Sequence, residues 1–328
     1  MNRKYRNLAL LAGISALLVV LPTLAIKYGI MDEYTAQILT LAGVNAIIAI
    51  SLNLISGITG QLALGHAGFM AIGAYTTAFL TMKAGMPLPV AIIGAGFVTA
   101  FFGFIIGFPT LKLTGDYLAI VTLGFGEIIR VVMINMKGIT GGAAGLKGVP
   151  GFTPDILDQP VVSFAVVTGV LVLVVAFISN FLQSSYGRAI ISIREDQIAA
   201  ASNGIPVFFY KMVSFTISAF IAGVGGGLYA PFFGYLNPTM FTFLKSVDFL
   251  IIVVLGGMGS ITGTIISSYV LTYLQEFLRF LKDYRLVIYP LILILIMLFR
   301  PKGLLGRAEL SLTSLFDKLG KRPTGGKK

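Results

Sequence analysis

The sequence predicts an all-α, polytopic membrane protein of about ten transmembrane or half-membrane helices. Three observations predict it. Of 328 residues, 56% are apolar and only 11% are charged, where a soluble domain carries about 25% charged residues. Mean hydropathy is +0.93. The charges punctuate long apolar runs instead of lining one face of amphipathic segments, as loops between membrane spans do. The formal net charge of +11 is therefore read as loop charge, and nucleic acid is excluded as a partner. With no cysteine and a single histidine, thiolate chemistry is excluded and no metal site or cofactor is expected.

A helix needs about 20 apolar residues to cross the hydrocarbon core. In chain order the candidate spans are Leu8–Ile26, Thr35–Ser56, Leu62–Met82, Leu88–Phe108, Tyr117–Met136, Val161–Leu182, Met212–Tyr229, Asp248–Gly257, Ile261–Leu281 and Leu286–Arg300. The first follows a basic N-terminus but is longer than the apolar stretch of a signal peptide, and is read as an uncleaved helix. The eighth is too short to cross alone and reads as a half-helix.

With both termini in the cytoplasm, fifteen Lys and Arg residues fall inside, eight of them from Arg300 onward, and seven fall outside, while Arg130 and Arg279 sit within spans. That asymmetry favours the both-termini-inside arrangement. Residues 1–300 then form one transmembrane domain, with residues 183–211 as an inner-face loop and 301–328 as a basic cytoplasmic tail.

Three glycine clusters are expected to break helices: Gly57, Gly60 and Gly65 in the segment Gly57–His66; Gly225, Gly226 and Gly227 in Ala222–Pro231; and Gly256, Gly257 and Gly259 in Gly256–Gly263. Each glycine costs a helix about 1 kcal/mol relative to alanine. Irregular backbone at membrane depth survives only where protein buries it or water reaches it, so such breaks point to a transport pathway. The alternative is close helix packing, since Gly103/Gly107, Gly223/Gly227 and Gly259/Gly263 have GxxxG spacing. The first segment also gathers Asn53, Gln61 and His66, which favours a pathway there.

Glu127 and Arg130 are spaced i, i+3 and share a helix face, so they can offset each other's cost within the membrane. Glu127 reads as the one acidic residue well inside a span, which leaves little for a proton relay. His66 reads equally well as a hydrogen-bonded interior residue or a functional one.

Between spans six and seven, Ser185–Pro206 contains Arg188, Arg194, Glu195, Asp196, Ala199, Ala200 and Gly204. Glu195 and Asp196 are expected to open a short helix of two to three turns at the membrane surface, with Gly204 and Pro206 stopping it. The segment resembles the coupling loop of ABC-importer permeases, Glu-Ala-Ala followed three residues later by Gly, with Ile198 in the Glu position before Ala199 and Ala200.

Further segments, Ser51–Tyr75, Gly115–Arg130, Thr140–Gly142, Leu255–Ser260 and Arg300–Gly306, resemble the LivM-type branched-chain amino acid permeases and cover most of the chain in that family's order. The resemblance implies a subunit of the bacterial or archaeal cytoplasmic membrane, paired with a LivH-type permease. Two ABC ATPases would drive it by alternating access, and an extracytoplasmic binding protein would deliver Leu, Ile or Val. It also implies that residues 188–204 contact the ATPases. The chain carries no G-x-x-x-x-G-K-[ST] phosphate loop, so ATP hydrolysis is expected on another chain and the permease is not expected to be an enzyme. Alternatives are a permease of the same family for urea or another small solute, an ion-coupled secondary transporter, and a membrane enzyme, the last disfavoured by the scarcity of catalytic groups.

Overall fold

The computed structural model describes residues 31–153, 159–300 and 303–306, with isolated positions between 20 and 26. Most of the expected first span, and the tail beyond Gly306, lie outside the described residues.

The chain begins with α1 (Glu33–Asn53), which continues through a π-helical turn at Leu54–Ile58. After an irregular stretch come α2 (His66–Met82), α3 (Leu88–Thr110), α4 (Asp116–Asn135) and a single turn, α5 (Lys137–Thr140). Helix α6 (Gln159–Gln183) leads into two short helices, α7 (Ser185–Glu195) and α8 (Gln197–Ser202). Then follow α9 (Val207–Phe233), α10 (Phe243–Gly256), α11 (Ile261–Phe277) and α12 (Arg285–Phe299). Two strands of two residues, β1 (Leu146–Lys147) and β2 (Tyr235–Leu236), pair antiparallel with Leu146 opposite Leu236. They join the loops that follow α5 and α9.

Five of these helices are long and apolar enough to cross a membrane: Glu33–Ile58, Leu88–Thr110, Asp116–Asn135, Gln159–Gln183 and Val207–Phe233. The expected spans at 62–82, 248–257, 261–281 and 286–300 are shorter helices. Helix α10, of 14 residues, reaches only about 21 Å at 1.5 Å per residue, against about 30 Å of hydrocarbon.

Helix α9 is the centre of the bundle and packs chiefly on α3 and α2, while α1 is flanked by α11, α6, α9 and α10. The expected break at Ala222–Pro231 is corrected here: α9 runs without interruption through Gly225, Gly226 and Gly227. Those glycines serve close packing instead. A Cβ on Gly226 would collide with the backbone carbonyl of Met70 in α2, one on Gly225 with Ile48 in α1, and one on Gly227 would come 2.7 Å from Thr77 Oγ1. Gly73 of α2 faces Gly223 of α9, backbone to backbone. In lipid, where apolar side chains gain little by leaving the solvent, van der Waals contact between such bare backbones holds helices together.

Candidate functional site at the two broken helices

The first break is real backbone irregularity. After Ile58 the chain leaves helical geometry and returns to it at His66. Its polar groups find partners nearby, as burial requires. The Thr59 and Gln61 amides donate to the Leu54 and Ile55 carbonyls, each at 3.0 Å. The Leu64 amide donates to Thr122 Oγ1 of α4 at 3.0 Å, and the Ala67 amide to Ser246 Oγ of α10 at 2.9 Å. The hydroxyls of Thr59 and Ser214 lie 2.8 Å apart. Gly65 packs on the α4 backbone at Thr122. His66 Nε2 lies 3.1 Å from Ser51 Oγ and 3.2 Å from Ser218 Oγ, so the ring bridges α1 and α9. The Gln61 carboxamide is buried, and neither of its polar atoms has a hydrogen-bond partner among the described residues.

The second break, residues 257–260, separates α10 from α11 and lies against the first. Gly257 and Gly259 take φ of 110° and 95°, where an L side chain is strained. Asn53 ties the two breaks together. Its Oδ1 accepts from the Gly259 amide at 2.8 Å, and its Nδ2 donates to the Ser260 carbonyl and to Thr264 Oγ1, each at 2.9 Å. Gly57 is hemmed in by Asn53 and by the Gly259 amide, so no larger residue fits. The carbonyls ending α10 are capped by another part of the chain: the Leu304 amide donates to Leu255 at 2.7 Å and the Leu305 amide to Gly256 at 3.4 Å.

The loop between α6 and α9 differs from expectation: it holds two helices, α7 and the six-residue α8, instead of one of two to three turns. Glu195 does not open a helix; it is the last residue of α7. Asp196 is extended (φ −154°, ψ 112°) and alone caps α8, accepting from the Ile198 amide at 2.8 Å and the Ala199 amide at 3.0 Å. Gly204, at φ 79°, ends the turn that follows. Helix α7 was missed from the sequence, although Tyr186, Ile190 and Ile193 already gave its one-sided spacing. On α8, Ala200 is buried, Ala199 is exposed, and Ile198 is 80% exposed. Arg188 turns back to donate to the Gln183 carbonyl at 2.7 Å, sealing the end of α6. Lys211, buried in the first turns of α9, donates to Gln197 at 2.8 Å. The half-buried Arg194 reaches the breaks themselves. A Cβ on Gly60 would lie 3.1 Å from its Cγ, and one on Gly259 would lie 2.9 Å from its Nη1.

Glu127 and Arg130 pair at 2.7 Å, with a quarter to a third of each side chain exposed. The second Glu127 oxygen accepts the Phe243 amide at 3.1 Å, so this carboxylate of α4 caps the first turn of α10. The pair therefore stands at the opposite end of α10 from the Gly257 break. Lys245 and Asp248, which sequence reasoning placed in a loop and at a span edge, lie inside α10, with the Lys245 ammonium 5.0 Å from the centre of the Phe249 ring. Glu127 is thus not the one acidic residue within the helices. The structure brings together Asn53, Gly57, Gly60, Arg194, Gly257 and Gly259; it leaves Gly225–Gly227 and Glu127–Arg130 elsewhere.

A bundle of apolar helices that packs irregular backbone between them is the build of a membrane transport protein. The chain belongs to the family described as "Branched-chain amino acid transport system / permease component", whose model matches residues 34–298. It is 38% identical over 314 residues to the high-affinity branched-chain amino acid transport system permease protein LivM of Escherichia coli, covering 88% of this chain and 74% of that protein. It is 26% identical over 289 residues to LivH of the same organism, covering 82% and 94%. A probable LivM permease of Methanocaldococcus jannaschii is 23% identical over 239 residues, covering 65% and 68%. No solved structure matches.

Proposed function

We propose that this chain is a membrane-spanning subunit of an ATP-driven importer of branched-chain amino acids, working by alternating access. Its relatives carry that transport in their names. The observation that supports the mechanism is the adjoining of two features: an exposed helix, α8, with an apolar residue, Ile198, 80% exposed, and the two breaks that Arg194 of the preceding α7 touches. An exposed isoleucine on a six-residue helix suits a groove on a partner protein. Two ATPases would seat α8 in such grooves, one on this chain and one on a LivH-type partner. Closure of the ATPases on ATP would then favour whichever bundle arrangement binds them more tightly. Both termini and the α7–α8 pair would lie on the cytoplasmic side, and the β1–β2 loops would face an extracytoplasmic binding protein. Residues 1–300 would form the permease domain and 301–328 its cytoplasmic tail.

The breaks would serve as a low-affinity path. In this conformation the backbone amides suited to a substrate carboxylate are occupied: Ala67 by Ser246, Leu64 by Thr122 and Gly259 by Asn53. A weak path is compatible with release, and selectivity then rests on the binding protein. The test is ATP hydrolysis by the purified complex of both permeases, ATPases and binding protein, measured across the amino acids. Stimulation by Leu, Ile or Val is expected. Uphill transport by this chain alone in liposomes, on an ion gradient, would overturn the reading.

A further inference from the structure

Arg194 carries more than the proposed docking of α8 requires. It sits at the end of α7, two residues before Asp196 starts α8. An arginine there could extend into solvent toward a partner. Instead its aliphatic stem lies on Gly60 and its guanidinium on Gly259. Both glycines have positive φ, 75° and 95°, so each marks where its break turns, and neither tolerates a side chain that would push the arginine away. The two breaks are also locked to each other through Asn53. Arg194 thus touches both breaks, while Ile190 of the same helix packs with Leu54 and Ile58 beside the first alone. A second link, Lys211 to Gln197, ties α8 to α9, which does not break. The α7–α8 pair thus touches α9, through Lys211 and through Tyr186 and Ile190 beside Tyr210, and the irregular backbone, through Arg194.

We infer that Arg194 is the positioning residue that makes both breaks move with the α7–α8 pair, so that it couples ATPase closure to opening of the path. This rests on the importer reading above. A guanidinium suits the role, because its planar fork is fixed where an ammonium on a flexible stem would not hold the same geometry.

The test uses the whole complex in proteoliposomes, with uptake and ATP hydrolysis measured together. If wild type shows no ligand-stimulated hydrolysis, the importer reading fails and the Arg194 inference falls with it. If wild type couples, uptake per ATP hydrolysed by the R194A complex that does assemble is expected to fall at least tenfold. R194K, which keeps the stem on Gly60, is expected to fall between the two. A merely structural role would lower the amount of assembled complex and leave uptake per ATP unchanged; that result in either variant overturns the inference.

A second measurement needs no change at Arg194. The chain has no cysteine, so spin labels can be placed at Ser202 with Met258, and at Ser202 with Phe97 on α3. Between nucleotide-free and ATP-trapped states the first distance is expected to hold within about 2 Å, the length of a rotamer change, while the second shifts. A first distance that changes, or a second that does not, overturns the inference.

Discussion

Asn53 and Gly259, separated by 206 residues, share a hydrogen bond of 2.8 Å across the two places where helices break. The same carboxamide donates on its other side to Ser260 and Thr264, so one buried residue satisfies three groups that the second break exposes. A leucine would fill similar space and satisfy none of them. N53L is expected to leave the Gly259 amide without its acceptor, at about 1–3 kcal/mol, while the Ser260 carbonyl keeps its bonds from the Thr264 amide and hydroxyl. Thermal unfolding of the purified permease in detergent measures this. N53D, which keeps the acceptor for Gly259, is expected to lose less; equal losses would mean that Gly259 is held by something else.

The α9 glycines are expected to tolerate no Cβ. Gly226 lies on the Met70 carbonyl, whereas Gly169 of α6 has nothing within 4 Å of where a Cβ would stand. G226A should therefore destabilise by about 1–3 kcal/mol through forced separation of α9 and α2. G169A should be neutral, or stabilising by up to about 1 kcal/mol, because alanine favours helix. Melting temperatures of the two variants side by side decide it, and a harmless G226A would refute the packing account.

Glu127 does two jobs with two oxygens, pairing with Arg130 and capping Phe243. E127Q keeps a neutral acceptor for the amide, while E127A removes both contacts and leaves Arg130 without that partner. The expected order of stability is wild type, then E127Q, then E127A, with the last step about 1–2 kcal/mol for a lost cap. Limited proteolysis near residues 237–243, together with thermal melts, follows the release of the α10 start. If E127Q and E127A melt together, the cap contributes nothing.

Ile198 touches little of its own chain, so I198E is expected to leave the permease fold within about 0.5 kcal/mol of wild type. Under the proposed function it should abolish co-purification of the ATPases. Retained ATPase binding would place the docking surface elsewhere.

Much of this arrangement is written in local chemistry. The apolar runs gave the helices, and the first break announced itself through glycines mixed with Asn53, Gln61 and His66. Gly225–Gly227 misled because a glycine's cost to an isolated helix is set by solvent and entropy, while its gain here comes from Met70, Ile48 and Thr77, residues far away in sequence. The division between α7 and α8 was open to reading, because aspartate is a preferred N-cap and glutamate a good helix former, so Asp196 and not Glu195 opens α8. The inward course of Arg194 depends on two glycines about 134 and 65 positions distant, and no window of local pattern contains them.

The strap of Leu304 and Leu305 over the end of α10 has a bearing on biogenesis. Those amides leave the ribosome only after every described helix has been made. Until then the Leu255 and Gly256 carbonyls lack these two donors, and the neighbouring break cannot take its finished form. Insertion of the helices can proceed in order, but the backbone at residues 257–260 settles last, so a chain stalled before residue 304 is expected to insert and yet be more readily cleaved by protease there.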